Sequence, residues 1–212
     1  MTQFVNNDVS SGAIVYASDH NTQGALIAGV LNGNIDDANI NSSAAISGSK
    51  LADTSIPSSK LSAGMVAQIV GTGFSAVATG ATTIPLDDTI PQNTEGTEFM
   101  TQSITPKSTT NILLIEIVAM LSTSTAKTAI GALFQDSTAN ALAAVSAYID
   151  TGTGMRMVSL MYSMAAGTTS STTFKFRAGP DAAATMTFNG SSGSRLYGAI
   201  SKSYIKITEY RA

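Results

Sequence analysis

Seven aliphatic residues, Leu31, Ile35, Ile40, Ile46, Leu51, Ile56 and Leu61, recur at intervals of four, five, six, five, five and five residues. Between them stand almost only Asn, Asp, Ser, Ala, Gly and Lys. A step of five suits neither common element. On a helix it rotates each side chain by about 140°, so no apolar stripe forms. On a strand an odd step sends successive aliphatics to opposite faces. An extended chain that meets copies of itself around a common axis uses such a ladder most simply. The motif Ile-x-x-Ser-Lys-Leu occurs twice, at Ile46–Leu51 and Ile56–Leu61, ten residues apart. One chain is too short here to form a solenoid with its own core, whereas three chains wound together supply the missing neighbours. A disordered Ser/Asn-rich linker is the competing reading, and the kept register of aliphatics argues against it.

Composition points the same way. Charged residues make up 12% of the 212 residues and hydrophobic ones 43%. That charge is about half the usual share, and small polar residues replace it. Such a surface suits packing between identical chains. The net charge of -3 and the lack of any Lys/Arg cluster give no footprint for nucleic acid. With no Cys, disulfides and zinc–thiolate sites are excluded. The N-terminus lacks a basic region followed by an apolar run, so no signal peptide is expected and synthesis is cytoplasmic. No run reaches the roughly 20 apolar residues of a membrane helix, and no membrane insertion is expected.

From residue 65 the pattern changes to strands. Candidates are 65–70, 74–78, 82–85, 98–104, 111–122, 128–136, 141–149, 155–165, 172–177, 184–189 and 204–210, bounded by Gly, Pro, Asn and Asp clusters. Met155, Met157, Ser159, Met161 and Ser163 share one face of their strand; Val158, Leu160, Tyr162 and Met164 share the other with Arg156. Ile205 and Ile207 face opposite to Lys206 and Thr208. Many short strands with little helical period predict a mainly β fold with a jelly-roll-like β-sandwich. The strand Ile112–Met120 is apolar on both faces apart from Glu116, so one face is expected in the core and the other against a neighbouring subunit. The chain then divides into an N-terminal segment 1–30 with a candidate short helix, an extended shaft 31–64, and a head 65–212.

Candidate chemistry is sparse. His20 is the only histidine, and in Ser18-Asp19-His20-Asn21 it reads as a turn or helix-start residue rather than part of a triad or metal set. Asp36-Asp37 and Asp87-Asp88 read as turn or spacer devices rather than cation sites. Gly71-Thr72-Gly73 and Gly152-Thr153-Gly154 lack the partners of a phosphate loop and read as hairpin turns. The Met stripe at 155, 157, 161 and 164 is expected to fill core, with Arg156 a candidate for pairing with a carboxylate across subunits. No catalytic set, metal or cofactor is expected, and the chain is not expected to be an enzyme.

Three stretches carry a resemblance to small trimeric fibre proteins of tailed bacteriophages. Ala17-Ser18-Asp19-His20-Asn21 is similar to the Ala-Ser-Asp-x-Asn signature near the start of many such proteins. Asn32–Asn41 with Ala44–Leu51 resembles their low-complexity shafts. Pro91–Gly96, Ile104–Ser108 and Ile205–Tyr210 resemble the head, a β-sandwich related in shape to tumour-necrosis-factor or C1q heads. The resemblance implies an intertwined homotrimer in the virion, joined to other virion proteins through its N-terminus. Its head would touch a host-surface glycan or protein, as in a tail fibre. A head fibre or capsid decoration protein is the alternative. Receptor contacts do not carry over residue by residue, so the turn clusters at Asp150–Gly154, Ala178–Ala182 and Gly190–Arg195 are the candidate recognition loops. Their polar tips are Asp150, Thr151, Asp181, Ser191, Ser192 and Arg195.

Overall fold

The computed structural model describes residues 62–150 and 154–212, together with Ile40, Ser43 and Ala44. The chain divides into two units, Met1–Ile56 and Pro57–Ala212, and nearly all described residues belong to the second. Of the aliphatic ladder only Ile40 is among them, and it is exposed. The rest of the ladder, the Ala17–Asn21 signature with His20, the pair Asp36-Asp37, and Thr151 lie outside the described residues.

The alternation of apolar and polar side chains produces strands almost everywhere it was expected. In chain order they are β1 (Val66–Phe74), β2 (Ala78–Gly80), β3 (Thr97–Ile104), β4 (Ile112–Thr123), β5 (Lys127–Gln135) and β6 (Ala143–Ile149). They continue with β7 (Arg156–Ala165), β8 (Thr172–Pro180), β9 (Met186–Phe188), β10 (Gly190–Ser191), β11 (Ser194–Arg195) and β12 (Ser203–Tyr210). One sheet pairs β1 with β12, β12 with β4, and β4 with β7; the other runs β3-β8-β5-β6, all antiparallel. β9 pairs with the end of β4, and β2 pairs with β9.

These short strands resolve a simple plan. β9 and β12 lie along the same edge of β4, interrupted by an excursion over residues 190–202. β1 and β2 are likewise one line broken at 75–77. Each sheet therefore has four lines of strand, and only β5 and β6 are joined within a sheet. Every other step along the chain crosses between sheets, which is the connectivity of a jelly roll. The inward faces meet in one core, with Leu113, Ile115, Ile117, Ile205, Ile207 and Leu160 from one sheet against Met100, Leu133, Phe174 and Phe176 from the other. Phe99 of β3 stacks on Phe188 of β9 at 5.1 Å between ring centroids.

Asn189 seals the break between β9 and β12. Its φ of 56° is a left-handed conformation that Asn adopts more readily than most residues. Its Nδ2 donates to Phe74 O (2.8 Å) and Ala76 O (3.2 Å), and its Oδ1 accepts from Ser203 Oγ (2.7 Å). Asn189 N donates to Met120 O and Met120 N to Ser203 Oγ, both at 2.9 Å. Side chains thus supply the ladder bonds that the interrupted backbone lacks. Asn189→Ala removes these bonds and leaves a β-carbon residue at positive φ. The expected loss is about 3 kcal/mol, read as a lower denaturant midpoint at unchanged slope.

Three expectations change. Residues 74–78 are not one strand: β1 ends at Phe74 and β2 starts at Ala78, with the break at 75–77 between them. Residues 82–85 are not a strand but the start of a strap, residues 81–96, laid over the outer face of the β8–β5 pair. Gly71–Gly73 is not a hairpin turn; it lies inside β1. A β-carbon on Gly73 would stand 2.8 Å from the Tyr204 ring, and one on Gly71 3.2 Å from Ile205 O. Glycine is required there by close cross-strand approach rather than by chain reversal.

Candidate subunit interface and distal loops

The two outer faces of the sandwich are treated differently. On β5 the outward residues Ile130, Ala132 and Phe134 are buried because Ile84 of the strap sits on them, 0% exposed, with Ala141 beside it. The strap is tied at both ends. Ile84 N donates to Pro180 O (3.1 Å), Asn93 N to Ala139 O (2.8 Å) and Ala141 N to Pro91 O (2.9 Å). Arg177 donates to Glu95 O and Gly96 O, each at 2.8 Å. Gly179 gives the strap its room, because a β-carbon there would collide with Thr82 O. Ile84→Ala is expected to cost about 2–4 kcal/mol and to raise amide exchange at Ile84 and Asn93, measurable by exchange mass spectrometry.

On the other sheet the outer face keeps several large apolar side chains exposed. Cross-strand register arranges it in rows: Met157–Met120, Ser159–Val118–Tyr204–Gly73, Met161–Glu116–Lys206–Gly71, Ser163–Leu114–Thr208–Ile69 and Ala165–Ile112–Tyr210–Val66. Met157 and Met161 are 60% and 68% exposed, and Val66, Ile69, Ile112 and Tyr204 are exposed with them. The central ion pair, Lys206 Nζ to Glu116 Oε2 at 2.6 Å, is internal to the chain. Its charges are therefore already matched within an apolar surround. The two-faced apolar character of Ile112–Met120 has this outcome: Leu113, Ile115, Ile117 and Ala119 are buried, while Leu114, Val118 and Met120 are half-buried on the outer face. The Met stripe does not fill the core as expected. Parity sends Met157 and Met161 outward, and only Met164 packs against the core. Arg156 pairs with Asp150 of its own chain at 3.2 Å, exposed on both sides, because the β6–β7 connection brings the two together.

The chain enters and leaves the sandwich side by side, since Gly64 N donates to Arg211 O and Arg211 N to Met65 O. The candidate recognition loops lie at the opposite end. Asp150 follows β6, and Asp181 follows β8, where its N–H donates to Thr128 O at 2.9 Å. The 124–126 and 181–185 connections are bonded through Ser124 N to Thr185 O (2.8 Å) and Thr185 N to Ser124 Oγ (3.0 Å). The excursion carrying Ser191, Ser192 and Arg195 leaves the sheet toward this end, at the level of Met120. Ser192 (φ 50°) and Gly193 (φ 75°) form the tight turn between β10 and β11 and are exposed with Arg195. Ser191, placed at a surface tip by the sequence pattern, is instead nearly buried at 8% exposure. Ala178, Gly179 and Pro180 are buried at the end of strand β8, so only the Asp181–Ala182 part of that cluster is accessible. Asp87 behaves as a turn residue: its Oδ1 accepts from Thr89 Oγ1 (2.6 Å) and Thr89 N (2.9 Å), and these bonds hold its carboxyl below its ordinary value.

One residue that sequence reasoning passed over is Glu209. It shares parity with Ile205 and Ile207, which places it inward. Its carboxylate is fully buried and accepts from Gln68 Nε2 (2.5 Å), Asn111 Nδ2 (2.6 Å) and Lys107 N (2.8 Å). Burial pushes its pKa up. The bonds from Asn111, Gln68 and the Lys107 and Ser108 amides outweigh that and hold it below the ordinary carboxyl value.

No family model matches the sequence, and no curated protein matches it. Among solved structures, the chain is similar to the enzymatically active domain of tailspike protein 4 from bacteriophage CBA120. That match has a TM-score of 0.26 and 18% identity, covering 58% of this chain and 18% of the tailspike chain. It is also similar to VP2 in a subviral particle of infectious bursal disease virus, with a TM-score of 0.28 and 12% identity, covering 68% of this chain and 38% of VP2. Both are viral proteins. Likeness of this degree carries no conclusion about what this chain does.

Proposed function

We propose that the chain is a structural fibre protein of a bacteriophage virion that works as a homotrimer. Its N-terminal part would attach to other virion proteins, and its sandwich head would meet the host surface. The phage setting comes from the resemblance of its short motifs. The observation that carries the oligomer is the contrast between the two outer faces. The chain spends a 16-residue strap covering one apolar face, while the other displays Met157, Met161, Ile69 and Tyr204. An outer face that exposes this many large apolar side chains marks an interaction surface, and a second copy of a poorly charged chain suits it. The opposite placement of chain entry and recognition loops fits a head that is tethered at one end and reads a surface with the other. Three copies of a weak site would then act together through effective concentration.

The deciding measurement is the mass of the full chain in solution. The expected value is three times the 21.7 kDa of one chain; a stable monomer at micromolar concentration would overturn the proposal. Immunogold labelling of intact virions then distinguishes a tail position from the capsid position of a decoration protein.

A further inference from the structure

The excursion between β9 and β12 lies in a corner of unusual charge. No acidic residue occurs between Asp181 and Glu209, whereas Arg195, Lys202 and Lys206 do. The bordering segments, 62–86 and 117–126, carry no charged residue at all. Lys206 is engaged by Glu116. Asp150 is taken by Arg156, and Glu98 by Lys175 and Arg177, so among the described residues neither Arg195 nor Lys202 has a carboxylate partner. A chain of net charge -3 thus holds a locally cationic corner.

That corner contains a shallow pocket of about 470 Å³ lined by Ser75, Ala76, Val77, Arg195 and Ala199. Its walls are held in place from several sides. Asn189 bonds to Phe74 O and Ala76 O, fixing the 75–77 break against the root of the excursion. Ser122 Oγ donates to Gly190 O at 2.8 Å, and Gly193 N to Thr187 Oγ1 at 3.0 Å, anchoring the hairpin that carries Arg195. Tyr197, Gly198 and Ala199 then follow with three successive positive φ values of 52°, 62° and 69°. This left-handed turn leaves Ala199 lining the pocket and Tyr197 69% exposed.

We propose that this pocket binds a saccharide bearing a carboxylate or a phosphate. The guanidinium of Arg195 offers a planar fork of donors matched to either group. Ser75 supplies a hydroxyl for a ring hydroxyl, and Ala76, Val77 and Ala199 supply the small apolar wall against which a sugar face rests. Lys202 adds to the field without lining the pocket. The site is complete within one chain. Its role at the host surface rests on the fibre reading, but its binding in free solution does not.

Calorimetric titration of the full chain with trigalacturonate, glucose 6-phosphate and neutral maltotriose tests the site. At least one acidic probe is expected to bind, at least tenfold more tightly than maltotriose, and binding is expected to weaken as salt is raised from about 0.05 to 0.5 M. A carboxylate ligand is indicated if trigalacturonate is preferred and a phosphate ligand if glucose 6-phosphate is. Arg195→Met is expected to reduce that affinity at least tenfold. Ala76→Trp, which fills the pocket and keeps the charge, is expected to reduce it similarly. Absence of acidic-probe binding at about 10 mM, equal binding of maltotriose, or full affinity in Arg195→Met would each overturn the proposal. The mass of the same samples separates the two ideas: a monomer that still binds the acidic probe rejects the trimer alone, and a trimer that binds none rejects the site alone.

Discussion

Replacing Met157 and Met161 together by lysine is expected to abolish the proposed trimer and leave a folded monomer in solution. Both side chains are mostly exposed in the single chain, so the substitutions remove little that the sandwich itself uses. Exposed changes of this kind usually shift stability by no more than about 0.5 kcal/mol. In an interface the balance reverses. Each buried methionine would contribute about 2 kcal/mol, and an ammonium forced into an apolar seam costs further. The effect is repeated at every subunit contact, so association should weaken by at least about a thousandfold, roughly 4 kcal/mol. Sedimentation velocity and the concentration dependence of the melting temperature report it. A control, Lys175→Met, alters the opposite sheet and should leave the mass unchanged. If the double lysine variant keeps the trimer mass, this face is not the interface.

Glu209→Gln is expected to be the most destabilising conservative change in the sandwich. The carboxylate joins β12 to β1 through Gln68, to the β3–β4 connection through Lys107, and to Asn111, whose Oδ1 in turn accepts from Ala212 N at 3.4 Å. A carboxamide replaces one acceptor oxygen by an N–H donor facing donors, inside a site that excludes water. A loss of about 2–4 kcal/mol follows, or roughly 5–15 °C in melting temperature for a domain of this size. The pH dependence has a definite sign. Because the folded pKa is depressed, the carboxylate's contribution is fully present above the unfolded value of about 4.3. It is lost as pH falls through the lower folded value. The native protein should therefore lose stability in acid more steeply than the Glu209→Gln variant. Denaturant midpoints between about pH 3 and 7 reveal this, and parallel curves would show that Glu209 stays protonated or is not engaged.

Much of the strand content was legible because a strand's face is decided by parity, a local property. Met155–Ala165 and Tyr204–Tyr210 reveal which residues face together before any partner is known. Parity does not say which face is inside. For β7 both faces carry methionine, and only the position of β4 and the facing sheet decides that Met164 packs inward while Met161 does not. Glu209 was readable in principle from Ile205 and Ile207. Its acceptability was not, because Gln68, Lys107 and Asn111 lie about 100 residues or more away along the chain. Glycines misled for a related reason. Gly71-Thr72-Gly73 has turn composition, but the need for glycine comes from Tyr204 and Ile205 on the neighbouring strand.

By itself the sequence determined a cysteine-free, weakly charged, mainly β fold with strands at known parity, because backbone alternation and turn chemistry act over a few residues. Tertiary structure decided which apolar face the 81–96 strap covers and which keeps Met157 and Met161 exposed, and that one strand line is interrupted to display the 190–202 excursion. It also decided that Arg195 meets Ser75 and Val77 across a shallow pocket. Those outcomes depend on pairings between residues far apart in the chain, where the free energy comes from surfaces that meet only after folding.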